Sequence, residues 1–125
     1  MHLAANDGES NDVSVIRIHG NLEFVAADEL DRVVIQLVKS GQYRIVVDLS
    51  DTSYISSRGW GVFLSNIREL REKGGDLKLA GMLPDTYEVF RVLEFGMFLK
   101  SYLSIGDAAN AFKSNGSTTK SVAHA

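Results

Sequence analysis

Hydrophobic positions along the chain fall into two periods that take turns. Val13-Ser14-Val15-Ile16-Arg17-Ile18 reads as a strand, with Val13, Val15 and Arg17 on one face. His19-Gly20-Asn21 is a turn signal, and Leu22-Glu23-Phe24 predicts a short second strand. From Ala26 to Ser40 the apolar residues Leu30, Val33, Val34, Leu37 and Val38 return at helical spacing, and Gly41 closes the segment as a C-terminal glycine does. Tyr43 to Leu49 is a nearly continuous apolar run, the pattern of a strand covered on both faces. After a polar connection, Ser50 to Ser57, a helix is predicted from Arg58 to Lys73 on the stripe Val62, Phe63, Ile67 and Leu70, with Gly74-Gly75 as its stop. Asp76 to Ala80 predicts another strand through Leu77 and Leu79. Pro84 and Asp85 then open a helix that Val89, Phe90 and Leu93 carry to Gly96. Phe98 to Leu103 fits a last strand, and Ile105, Ala108, Ala109 and Phe112 a final short helix.

Strands joined by helices imply crossovers. The fold class expected is therefore α/β: a small sandwich with a four- to five-stranded, mostly parallel sheet and about four helices. Ligand and partner sites in such sheets lie where strands lead into helix N-termini, which singles out Ser50 to Gly61. One domain is expected over residues 12–113. Residues 1–11 and 114–125 are small and polar, without apolar periodicity, and are expected as disordered tails.

Composition narrows the chemistry. Among 125 residues, 45% are hydrophobic, enough for a core, and the formal net charge is −3, which argues against a nucleic-acid footprint. The chain has no Cys, excluding disulfides, thiolate nucleophiles and Cys-ligated zinc. Residues 1–11 have neither the basic nor the apolar part of a signal peptide, and the apolar runs are too short to span a bilayer, so a cytoplasmic protein without membrane insertion is expected. Of three His residues, His2 and His124 lie in the expected tails, and no pair has metal-ligand spacing. Nucleophile-elbow, Walker and dinucleotide-binding motifs are absent. A Ser-His-Asp triad would have to use His19, in a tight turn. Asp48 ends a buried strand as a phosphoacceptor Asp would, but Ile18-His19-Gly20 stands where the magnesium-holding acidic pair would be needed. No catalytic residue, metal or cofactor is expected.

What remains is Tyr54-Ile55-Ser56-Ser57-Arg58-Gly59-Trp60-Gly61. One reading makes Ser56 or Ser57 the N-cap of the following helix, with Gly59 allowing close packing. The other makes a Ser here a phosphorylation site, since a phosphate at a helix N-terminus meets unpaired N–H groups and the positive end of the dipole. The two are compatible. Trp60 lies at the edge of the helix's apolar face, either as a half-buried structural residue or as an interface anchor.

Taken together these segments resemble the STAS domain of bacterial anti-sigma factor antagonists. Gly20-Asn21-Leu22-Glu23 is similar to that family's G-x-L-D turn, Asp48-Leu49-Ser50 to its strand end, and Ile55 to Gly61 to its D-S-S-G-L-G loop and helix start. Gly74-Gly75, Leu77-Lys78-Leu79 and Phe95-Gly96 also fit. The resemblance implies a binding protein. Unmodified, it would engage an anti-sigma factor that is itself a serine kinase. Phosphorylated on a loop serine, it would let go, and a phosphatase would reset it. The alignment of Gly59-Trp60-Gly61 implies Ser57 as phosphoacceptor, with Ser56 as the alternative. The partner surface would comprise Glu23, Ser53, Tyr54, Ser56, Ser57, Arg58 and Trp60. Ser56 stands where the family has Asp, and Arg58 where it has a second small residue, so the loop is expected to be more positive. The alternative role is a constitutive interaction subunit of a transport or signalling complex, and a weak homodimer is left open.

Overall fold

A computed structural model describes Ala5–Asn6 and residues 13–114. The elements are β1 (Ala5–Asn6), β2 (Val13–His19), α1 (Phe24–Lys39), β3 (Arg44–Asp51), α2 (Ser57–Glu72), β4 (Asp76–Ala80), α3 (Pro84–Val92), a 3-10 turn (Phe95–Met97), β5 (Lys100–Tyr102) and α4 (Ile105–Ser114). The strands form one sheet in chain order, β1-β2-β3-β4-β5. β2 to β5 are parallel, and β1 runs antiparallel along β2, with Ala5 opposite Ile16. The α/β architecture expected from the pattern is the one observed.

Chain-order strands with helical crossovers step across the sheet in one direction. Right-handed crossovers then deliver their helices to the same face. Accordingly α1, α2 and α3 all bury residues against Ile16, Ile18, Ile45, Val47, Leu49, Leu77 and Leu79. The other face carries Val13, Val15, Val46 and Ala80, covered by Ala108 and Phe112 of α4. The alternation Ile45/Val46/Val47 thus feeds two cores, which is why this run carries no polar position to face water.

Four expectations need correction. Leu22-Glu23-Phe24 is not a strand: Leu22 makes an isolated parallel bridge to Ile55, and α1 begins at Phe24. Leu22 is buried while Phe24 is 67% exposed, so the two apolar residues serve different ends. The third helix stops at Val92 rather than Gly96, because Glu94 takes a left-handed φ of 60° and a 3-10 turn follows. The last strand is confined to Lys100–Tyr102. Finally, Ala5 and Asn6, inside the stretch read as a tail, pair with β2. The rest of residues 1–11, and residues 115–125, lie outside the described residues.

Gly75 shows how tightly the α2–β4 junction is built. A Cβ there would sit 1.8 Å from the Tyr43 carbonyl oxygen, and that oxygen accepts the Asp76 N–H at 3.0 Å. Only glycine permits the two backbones to approach so closely.

Candidate functional site

Two helix N-termini lie side by side at the carboxyl ends of β2 and β3. The segments leading into them are stitched together by backbone: Leu22 N–H donates to the Tyr54 carbonyl (2.9 Å), and Ser56 N–H donates to the Leu22 carbonyl (2.9 Å). The Glu23 turn and the start of α2 are therefore held against one another.

Ser56 is the N-cap of α2. It is only 5% exposed; its hydroxyl donates to the Leu22 carbonyl (3.0 Å) and accepts from Gly59 N–H (3.2 Å). That satisfies an orphan helix donor and anchors α2 to the neighbouring turn with one side chain. A hydroxyl so placed is withdrawn from solvent and occupied by the cap, which argues against Ser56 as the alternative phosphoacceptor. Ser57 is the first residue of α2, exposed, and its hydroxyl has no hydrogen-bond partner among the described residues. Gly59 makes the approach possible: a Cβ there would come within 2.8 Å of Ile55 Cγ2 and 3.0 Å of the Leu22 side chain. By contrast, a Cβ on Gly61 would meet nothing within 4 Å.

Arg58 does not leave the loop positive. Its Nε donates to Asp28 Oδ1 at 3.0 Å and its Nη2 bonds the same oxygen, tying the first turn of α2 to α1. The charge is offset by a residue thirty positions earlier, for which the sequence carried no signal. Both side chains are about half exposed, so the pair contributes at most about 1 kcal/mol. Beyond it, a groove of about 250 Å³ runs between α1 and α2, lined by Asp31, Arg58, Gly61, Val62 and Ser65.

Trp60 is not on the surface. It is 4% exposed, with its ring 4.8 Å from that of Phe95, 6.2 Å from Phe90 and 5.8 Å, edge on, from Phe63. It belongs to the core and is unavailable as an interface anchor; α3 and the 3-10 turn supply the covering rings. Glu23 is exposed, as is Ser53, whose hydroxyl donates to Asn21 Oδ1 (3.1 Å), and Tyr54 is 54% exposed. Phe24 and Val25, at 67% and 75%, complete this face. The sequence reading assigned Phe24 to a strand and gave Val25 no role. The surface is thus an apolar trio (Phe24, Val25, Tyr54) around a carboxylate and a free hydroxyl.

His19, the one candidate base, is exposed, with Nδ1 3.0 Å from Asp51 Oδ2. Among the described residues no group of three or more His, Asp or Glu could hold a metal ion, and no helix is long and apolar enough to cross a membrane.

Comparison with known proteins bears on the family and the fold. A protein of Bordetella bronchiseptica that carries the name anti-sigma factor antagonist BtrV is 33% identical over 96 residues, covering 77% of this chain and 83% of its own. Among solved structures, a Thermotoga maritima protein described under the name of an anti-sigma factor antagonist superposes with a TM-score of 0.81 at 20% identity, covering 89% of this chain and 94% of that one. Bacillus SpoIIAA in its phosphorylated form superposes with a TM-score of 0.67 at 21% identity, covering 88% and 98%. These two likenesses establish the fold. The sequence model of the STAS domain matches residues 5–108, and the chain belongs to the STAS domain family.

Proposed function

We propose that this protein is an anti-sigma factor antagonist switched by phosphorylation of Ser57. Unmodified, it binds an anti-sigma factor with serine kinase activity through Glu23, Phe24, Val25, Ser53, Tyr54 and Ser57. Phosphorylated, it releases that partner, and a phosphatase restores it. It acts by binding and performs no catalysis of its own.

The observation that carries this reading is the division of labour between adjacent hydroxyls. Ser56 is committed to the cap, and Ser57 stands exposed on the helix end with no partner. A phosphoryl group on Ser57 would add about −1.5 to −2 charge, taking the chain from −3 to about −5. The unpaired N–H groups and positive dipole end of α2 tolerate that charge within the protein. A partner surface packed on Phe24, Val25 and Tyr54 would have to desolvate it, which is the source of release. Glu23 on the same face adds like charge. The relatives named as antagonists support the role, and the phosphorylated structure of SpoIIAA supports the chemistry.

The test is intact-mass measurement after incubation with ATP and the cognate kinase, expected to add one phosphate to the wild type and none to Ser57→Ala. A wild type that stays unmodified beside a kinase it binds would refute the switch.

A further inference from the structure

α3 turns Thr86 and Phe90 inward, and the flank beside them is apolar as well. Val89, Val92 and Leu93, at i, i+3 and i+4, form a stripe 41%, 57% and 56% exposed. Past the left-handed Glu94 the 3-10 turn brings Gly96 against the Phe90 ring, and Met97 (73%) and Phe98 (54%) follow as exposed residues. Scattered exposed apolar side chains are ordinary; five within the ten residues Val89 to Phe98 of a 125-residue protein are a concentration. Side chains of this size expose on the order of 150–200 Å² each when free, so the patch amounts to on the order of 500 Å².

We propose that this face is a homodimer contact, with a second copy of the chain seated on it about a two-fold axis. A two-fold interface sets a patch against itself, so a charge at its centre would face its own copy. The stripe Val89, Val92 and Leu93 itself carries none: Glu88 and Arg91 beside it neutralise one another within the helix at 2.6 Å, and Glu94 lies past its end. Buried twice, the patch supplies about 1,000 Å², the lower bound for a specific interface, so the dimer is weak and reversible. Residues 115–125 are another occupant within the chain, but with Val122 as their one large apolar side chain they match an apolar stripe poorly. The position is also compatible with partner binding. α3 meets α2 through Phe90 and Trp60, whereas α1 joins α2 through Asp28 and Arg58, so the stripe and the Ser57 surface lie on different flanks. Each dimer would present two independent Ser57 surfaces.

Sedimentation velocity from micromolar to sub-millimolar concentration tests this. The weight-average mass is expected to rise from 13.7 kDa toward twice that value. Val92→Glu and Leu93→Glu, both exposed on a helix and compatible with the fold, are expected to weaken association at least tenfold, since each would bury an unpaired charge. Leu103→Glu, 91% exposed but outside the stripe, should leave it unchanged. The chain has no cysteine, so a lone Val92→Cys should oxidise to a covalent dimer where Ser65→Cys on α2 does not. A constant mass of 13.7 kDa across the series overturns the proposal, as does a dimer indifferent to Val92→Glu. Monomer bound to phosphatidylcholine–phosphatidylglycerol vesicles and released by Val92→Glu would also overturn it, assigning the face to a lipid surface. None of these outcomes depends on Ser57 or a kinase.

Discussion

The two glycines of α2 invite the same substitution with opposite results. Gly59→Ala places a methyl group 2.8 Å from Ile55 Cγ2 and 3.0 Å from Leu22 Cγ and Cδ2. Both neighbours are buried, at 6% and 0% exposure, and Ile55 is stiff at χ1, so neither can swing aside freely. Overpacking of this kind costs about 1–3 kcal/mol, against a gain of about 0.5–1 kcal/mol for replacing a helical glycine. The net expectation is a loss of about 1–2 kcal/mol. Gly61→Ala meets nothing within 4 Å and keeps only the gain, so it should stabilise by about 0.5–1 kcal/mol. For a chain of this length each kcal/mol moves Tm by about 3–5 °C, so the two variants should straddle the wild type and differ by several degrees. Urea and thermal unfolding followed by far-UV circular dichroism measure both. A Gly59→Ala protein as stable as wild type would refute the claim that the Leu22 turn and α2 are packed to contact. An equal loss in Gly61→Ala would mean that the helix needs flexibility there.

Other substitutions probe the remaining parts of the site and sheet. Ser56→Ala removes a cap and orphans the Gly59 donor, with an expected cost of about 1–2 kcal/mol in urea unfolding, whereas Ser57→Ala should stay within about 0.5 kcal/mol of wild type. Asp28→Asn should cost less than 1 kcal/mol in low salt and nothing measurable in high salt, because the Arg58 pair is half exposed. Lys78 lies buried under α4, 3.5 Å from Asp76 and 4.7 Å from the centre of the Phe112 ring, and burial pushes its ammonium below the ordinary 10.5. Between that lowered value and 10.5 the unfolded chain binds more protons, so stability should rise with pH there. Burial raises the Tyr102 hydroxyl above 10.0, so Tyr102 opposes the rise only at higher pH. Lys78→Met should abolish the rise below about pH 10 and cost little stability, since Asp76 keeps Arg71 at 2.9 Å. An unchanged pH slope in that variant would remove Lys78 as its source.

Most of the architecture was legible because periodicity reports burial directly. The runs Val13–Ile18, Tyr43–Leu49 and Asp76–Ala80, separated by helical stripes, required a parallel sheet with crossovers, and the stripe Val62, Phe63, Ile67, Leu70 is buried in the structure. Errors fell where one residue type serves two purposes. Phe24 looked like strand because it is apolar beside Leu22, yet it starts a helix and faces solvent. The third helix seemed to reach Gly96 because nothing in the pattern announces that Glu94 takes a left-handed conformation.

Sequence alone determined the fold class, the absence of cysteine chemistry and the loop proposed here as the functional one. Tertiary structure decided which residues of that loop are available. Ser56 and Ser57 are chemically alike. The Leu22 carbonyl and the geometry of the α2 N-terminus commit one to capping and leave the other free. Trp60 sits at the margin of its own helix's apolar face, and only Phe90 and Phe95, brought over by a later crossover, bury it. Arg58 is a positive charge in the sequence and half of an ion pair in the fold, because Asp28 stands on the adjacent helix. Local pattern fixes which face of an element is apolar, whereas exposure and net local charge are sums over neighbours distant in the chain. The fold itself must supply them.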